Sequence, residues 1–168
     1  MSIIIEDGTG LATAEAYISV ADASTYFTAR AVTTWAALAT DAIREAALRK
    51  ATDYMVATYR NRWQGVRKTE DQALCWPRYD VVVEGYLVDD DSVPEIIKRA
   101  CAELALKAAT AELNPDLKQG KLSVTVGPIK TDYDKNSPQQ KRYRAIDAML
   151  APYLKAGGGG CCVSLVRC

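Results

Sequence analysis

Ile97, Cys101, Leu104 and Ala108 recur every three or four residues, with Ala100 and Ala105 beside them. That spacing predicts an α-helix with a stripe of small apolar residues, and such stripes imply close helix–helix packing. Ser92-Val93-Pro94-Glu95 reads as a capping box with proline in the first turn, and Pro115 sets the limit of the helix. Three further segments carry helical stripes. Val20–Ala31 follows Ser19 as N-cap, with Asp22 as a weaker box partner, and places Val20, Ala23, Phe27 and Ala31 on one face. Asp41–Arg62 follows Thr40 and places Ile43, Ala47, Ala51 and Tyr54 together, with Gly65 as its stop. Gln139–Ala151 opens at Ser137-Pro138, carries Tyr143, Ile146, Met149 and Leu150, and ends by Pro152.

The β signals are shorter. Ser2–Glu6 and Tyr17-Ile18 read as extended. Val81–Val83, Glu84-Gly85 and Tyr86–Val88 form a hairpin with a two-residue turn. Leu122–Val126 and Ile129–Tyr133 flank Gly127-Pro128 as two short strands or one bent one, and Thr69–Leu74 suits a helical turn. The expected fold is mainly α: a small helical bundle with a short β-hairpin or strand element and extended termini. Residues 1–155 make one helical domain and 156–168 a flexible C-terminal docking tail.

Composition limits the chemistry. The 168 residues include no histidine, which excludes Ser-His-Asp and Cys-His catalysis and His-ligated zinc. Lys+Arg and Asp+Glu are 21 each, so a strongly basic nucleic-acid coat is not expected. The five cysteines show no CxxC spacing; Cys75 and Cys101 read as small core residues in a reduced, cytosolic protein. No signal peptide, membrane span, metal site or cofactor motif is expected. The tail Gly157–Gly160, then Cys161, Cys162, Val163, Ser164, Leu165, Val166, Arg167 and Cys168, lacks a prenylation box because Leu165 holds the required cysteine position.

Candidate sites are few. Asp89-Asp90-Asp91 could bind Mg²⁺ but also suits the helix N-terminus it precedes. Asp132 and Asp134 share one face of a strand and read as solvated, and Gly8-Thr9-Gly10 reads as a turn. Arg60, Arg62, Trp63, Arg67 and Lys68 form a basic stretch with an aromatic inside it, the pattern by which bases stack while cations follow phosphates; the alternative is a helix end with Trp63 in the core. Trp76 and Arg78 suit either a loop anchor or a subunit interface.

Several stretches together resemble one phage family: Glu6-Asp7-Gly8-Thr9-Gly10, Tyr17 to Ala23 with Tyr26-Phe27, Ala47 to Tyr54, Gln72 to Arg78, Val93-Pro94 and Gly127-Pro128. They resemble the small head–tail connector (adaptor, head-completion) proteins of tailed phages, relatives of which often carry the label "DnaT-like single-stranded DNA-binding protein". The resemblance covers about residues 1–155. It implies a structural, non-enzymatic virion protein in the neck between capsid and tail, assembled in the host cytoplasm. Its partners would be the portal protein, a tail-completion or tail-terminator protein, and itself in a ring of typically twelve copies. DNA would pass through the lumen without specific binding. The family pattern does not extend into Gly157–Cys168; from its glycine linker and apolar residues alone, Gly157, Gly160, Cys161, Val163, Leu165 and Val166 would form a portal-binding tail that adds a strand to a sheet edge. The competing function is a single-stranded DNA-binding replication accessory protein, resting on Trp63 and its basic neighbours.

Overall fold

The computed structural model describes residues 2–116 and 141–155, and the backbone of strands 123–126 and 129–132. Its helices are α1 (Val20–Thr28), α2 (Thr33–Ala36), α3 (Asp41–Tyr59), α4 (Glu95–Ala108) and α5 (Arg144–Leu150), followed by a 3-10 turn at Ala151–Tyr153. Three antiparallel pairs accompany them: β1 (Val66–Arg67) with β2 (Arg78–Tyr79), β3 (Val82–Val83) with β4 (Tyr86–Leu87), and β5 (Ser123–Val126) with β6 (Ile129–Asp132). The fold is mainly α, with short β-hairpins, as the sequence predicts.

The centre is the contact of α3 with α4. Ile97, Ala100, Cys101, Leu104, Ala105 and Ala108 of α4 are buried, as their spacing predicts. On α3 the buried stripe is Ala47, Leu48, Ala51, Thr52, Met55 and Tyr59. It is rotated from the expected one, and Ile43 is left 44% exposed. Thr52 explains the shift: its hydroxyl donates to the Leu48 carbonyl at 2.9 Å and lies 3.4 Å from Cys101 Sγ, so a polar residue fits the dry seam. The first turn of α3 instead carries Arg44. Its guanidinium donates to Asp41 Oδ1 (2.6 Å) and to the carbonyls of Ala36 (3.1 Å) and Leu38 (2.8 Å), and so ties α2 to α3.

Helix ends differ from expectation for local reasons. Ser19 and Thr40 cap as predicted, their side chains accepting from the amides of Asp22 and Ile43. Ahead of α4 the expected capping box is replaced by Pro94 at the N-cap (φ −54°, ψ 140°), with no side-chain cap. Val93 precedes a proline, which disfavours the helical conformation that a Ser92 cap would demand of it. α1 stops at Thr28, and Ala31 takes a left-handed φ of 55° before α2 begins. Thr69–Leu74 is not helical. Gln72 bonds the Thr69 amide and the carbonyls of Leu74 and Pro77, and Arg67 takes those of Glu70 and Gln72. α5 begins at Arg144 rather than 139. The turn Glu84-Gly85, with φ of 52° and 86°, is the two-residue type expected of its hairpin.

Two polar anchors hold the irregular segments. The buried Glu6 carboxylate accepts from the amides of Gly8 (3.0 Å), Gly10 (2.9 Å) and Leu11 (2.9 Å), which explains Glu6-Asp7-Gly8-Thr9-Gly10 as a structural loop. Gly8, at φ 105°, lies flat against the Asp91 carbonyl where no side chain fits. An aromatic column runs Tyr59–Trp63–Trp76–Tyr153, with ring centroids 5.8, 5.7 and 5.7 Å apart. It joins α3 to the chain after α5, and Tyr59 Oη donates to Asp147 Oδ1 of α5 at 2.7 Å.

Burial raises the pKa of Tyr17 and of Tyr59, the latter also through its bond to Asp147. The folded state therefore keeps protons that the unfolded chain releases from about pH 10. Their contribution to stability is complete below that pH and is lost as pH rises toward the folded values. Urea unfolding at rising alkaline pH will show a falling midpoint, and Tyr59→Phe will show a shallower fall from a lower starting stability.

Candidate nucleic-acid interface

The basic stretch singled out in the sequence separates into two groups. Trp63 is 1% exposed, inside the aromatic column, so no base can stack on it. Arg67 is engaged with the Glu70 and Gln72 carbonyls. Lys68 pairs with Asp91 and donates to the Gly8 carbonyl, and the Asp91 bond raises its pKa. Trp63, Arg67 and Lys68 are thus structural, while Arg60 and Arg62 remain exposed at the end of α3. The guanidinium of Arg62 lies 5.3 Å from the Tyr59 ring.

Trp76 and Arg78 are corrected to the structural reading. Trp76 is fully buried. Arg78 is 7% exposed, and its guanidinium donates to the carbonyls of Gln64 (2.6 Å), Cys75 (3.0 Å) and Gly65 (2.8 Å). Neither offers surface to a neighbour. The three aspartates at 89–91 place carboxylate oxygens within 4.8 Å of one another, but Asp91 is paired with Lys68 and Asp89 accepts from the Asp91 amide. The tail positions Gly157, Gly160, Cys161, Val163, Leu165 and Val166, and the pair Asp132 and Asp134 as side chains, lie outside the described residues.

A different arrangement of cations and rings stands at the other side of α3. Lys50, Asp53, Tyr54 and Ala57 recur at helical spacing and line one wall of a cleft of about 630 Å³. Arg60 continues that stripe three residues on. The opposite wall is the end of α4 and its continuation, Ala108 to Asn114. Tyr143, just before α5, closes the arrangement. Its ring meets Tyr54 edge-on at 5.6 Å, its hydroxyl donates to the Leu113 carbonyl at 3.3 Å, and Lys107 Nζ lies 5.8 Å from the ring centre. Burial, and then the neighbouring Tyr54, raises the Tyr143 pKa, so the phenol stays a neutral donor. Lys50, Lys107, Lys141, Arg142 and Arg144 are all exposed. Asp53 and Glu112 are the carboxylates in the lining.

Sequence reasoning missed this site, although Lys141-Arg142-Tyr143-Arg144 is a basic run around an aromatic just as Arg60–Lys68 is. Tyr143 was absorbed into a predicted core stripe, and the half-buried ring serves both purposes. A second groove, about 380 Å³ between α1 and α4, is less suited to an anion. There Arg99 pairs with Glu95, and Arg30 packs 3.7 Å over the Tyr26 ring and bonds the Tyr26 carbonyl.

Fold and cleft define a small, mainly helical protein whose cleft has Lys50 and Tyr54 in its lining, with Tyr143 and Lys107 beside it. The chain belongs to the family described as "Putative DnaT-like ssDNA binding protein", whose model matches residues 1–168. No curated protein and no solved structure matches it. The family match corrects the head–tail connector reading. The matched family is described by single-stranded DNA binding, not by a place in a virion, and nothing supports the connector assignment. The ring of twelve, the portal and tail-completion partners, and a lumen that lets DNA pass without specific binding fall with that assignment.

Trp63→Ala will lower unfolding stability by about 3–5 kcal/mol, as expected for removing a large buried ring. Acrylamide quenching of the native protein will be weak for all three tryptophans, since each is at most 1% exposed. Strong quenching restored to buried-like levels only on adding DNA would contradict the placement of Trp63.

Proposed function

We propose that this protein binds single-stranded DNA in the α3–α4–Tyr143 cleft, as a non-catalytic replication accessory factor. The observation that carries the reading is the pair Tyr54–Tyr143 held edge-on at 5.6 Å, with Lys50 in the cleft lining, Lys107 5.8 Å from the Tyr143 ring, and the exposed Lys141, Arg142 and Arg144 flanking Tyr143 in the chain. Cations at a groove rim follow phosphates, and tyrosine faces take bases without demanding a sequence. Family membership supports the same ligand class. A chain with zero net charge gains no long-range attraction for DNA, so affinity rests on this local cluster and is sensitive to salt.

Fluorescence anisotropy with a labelled oligothymidylate tests the reading. If Lys50, Lys107, Lys141, Arg142 and Arg144 all contact phosphates, log K falls with log salt at a slope of about −3.5. The variant K141A/R142A/R144A will bind more weakly, and its slope will be shallower by about 2. Tyr54→Leu will weaken binding by about 1–3 kcal/mol, the range of one lost stacking contact. Tryptophan emission will stay unquenched on binding, because no indole reaches the surface. Absence of binding at low salt, or a triple variant that binds like wild type, removes the proposal.

A further inference from the structure

The excursion between α3 and α4 carries the opposite chemistry to the cleft. Among the described residues, Val66, Tyr79, Val82, Tyr86 and Leu87 are five of the seven exposed large hydrophobic side chains. Tyr86 and Leu87 are 78% and 72% exposed. Val82 stands directly opposite Leu87 in the β3–β4 ladder, so this apolar pair shares one face and faces water. Isolated surface hydrophobics are ordinary, but an exposed apolar cross-strand pair in each of two neighbouring ladders, Val66 with Tyr79 and Val82 with Leu87, marks a contact surface.

Charge identifies what it contacts. From Tyr79 to Asp91 there are five carboxylates, Asp80, Glu84, Asp89, Asp90 and Asp91, and no lysine or arginine. Asp91 is answered by Lys68; the described residues give Asp80, Glu84 and Asp89 no ion-pair partner. A polyanion is repelled from such a rim, so DNA does not belong here. Among the described residues β3 and β4 form a two-stranded sheet; β3 also meets the 3-10 turn Ala151–Tyr153, and β4 has an edge outside the ladder.

We infer that the β3–β4 hairpin is a protein-docking surface for an extended, basic segment of a partner chain, its apolar side chains seated on the Val82–Leu87 face and its lysines or arginines facing Asp80, Glu84 and Asp89. The apolar centre supplies affinity and the acidic rim fixes the sign of the partner and its rate of arrival. An added strand whose side chains alternate between lysine and valine meets both requirements, with one face apolar and the other cationic. The inference stands apart from DNA binding in the cleft, since it uses a different element and the opposite charge.

The probe is a labelled peptide of alternating Lys and Val, with an alternating Glu and Val peptide as control, titrated by anisotropy against the full chain. The Lys/Val peptide binds and the Glu/Val peptide does not. Y86S/L87S and D80N/E84Q each weaken binding at least tenfold while circular dichroism and melting stay near wild type. All four side chains are exposed, and Asn and Gln keep the size of the groups they replace. Equal binding of the two peptides, or variants that bind like wild type, overturns the inference. Sedimentation velocity and oligothymidylate binding run on the same variants complete the test. Self-association lost in Y86S/L87S makes a second copy the occupant, and DNA binding lost there makes DNA the occupant; either outcome overturns it.

Discussion

The seam between α3 and α4 is the contact on which the remaining structure depends. Ala47, Ala51, Ala100, Ala105 and Ala108 keep both helices slim where they meet, and Cys101 and Thr52 fit among them. Small side chains allow the axes to approach, and a larger residue at any of these places separates them. The cleft and the hairpin are both arranged around this seam. The cleft lies where the two helices part at one end. The acidic hairpin belongs to the chain that leaves α3 and returns as α4. A change in helix separation therefore alters the cleft and the hairpin together.

The connecting chain from Arg60 to Val93 has little regular structure, yet it is not loosely held. Arg78 satisfies three backbone carbonyls from the interior, and Gln72 bonds an amide and two further carbonyls. Buried carbonyls without donors are costly, so these two side chains take the place of a sheet that the segment is too short and too bent to form. Trp63 and Trp76 supply the apolar mass of this region. A side chain that sequence inspection offers to a ligand can thus be fully engaged inside the fold, which is the case for Trp63, Arg67, Lys68 and Arg78.

The helices were legible because 3.6-residue periodicity registers burial directly, and four of the predicted stripes correspond to helices in the fold. Errors fell where one residue acts through its polar atoms. Thr52 is buried because its hydroxyl returns to Leu48, and a stripe counted by hydrophobicity passes over it. Gln72 turned an expected helical turn into a side-chain-bonded loop. Val93-Pro94 resembled a capping box, although the proline denies its neighbour the helical conformation. For the site, the sequence showed basic runs but not which cations were already bonded. Arg60 kept its exposure and Lys68 did not. Tyr54 and Tyr143 are 89 positions apart in the chain, so only the fold could bring their rings together.

The partition of charge has a further physical consequence. Residues 70–91 hold seven carboxylates and one cation, and that cation, Arg78, is buried; this excursion is net −6 and the rest of the chain +6. The molecule is neutral as a whole, yet its charge is unevenly divided along the chain. Such a protein offers exposed carboxylates to an anion exchanger and exposed cations to a cation exchanger, although its net charge favours neither. Near its isoelectric point of about 6.3 it lacks the net repulsion that keeps charged proteins apart. The acidic excursion of one molecule then attracts the exposed cations of another, and added salt, by shortening the range of that attraction, favours solution rather than precipitation.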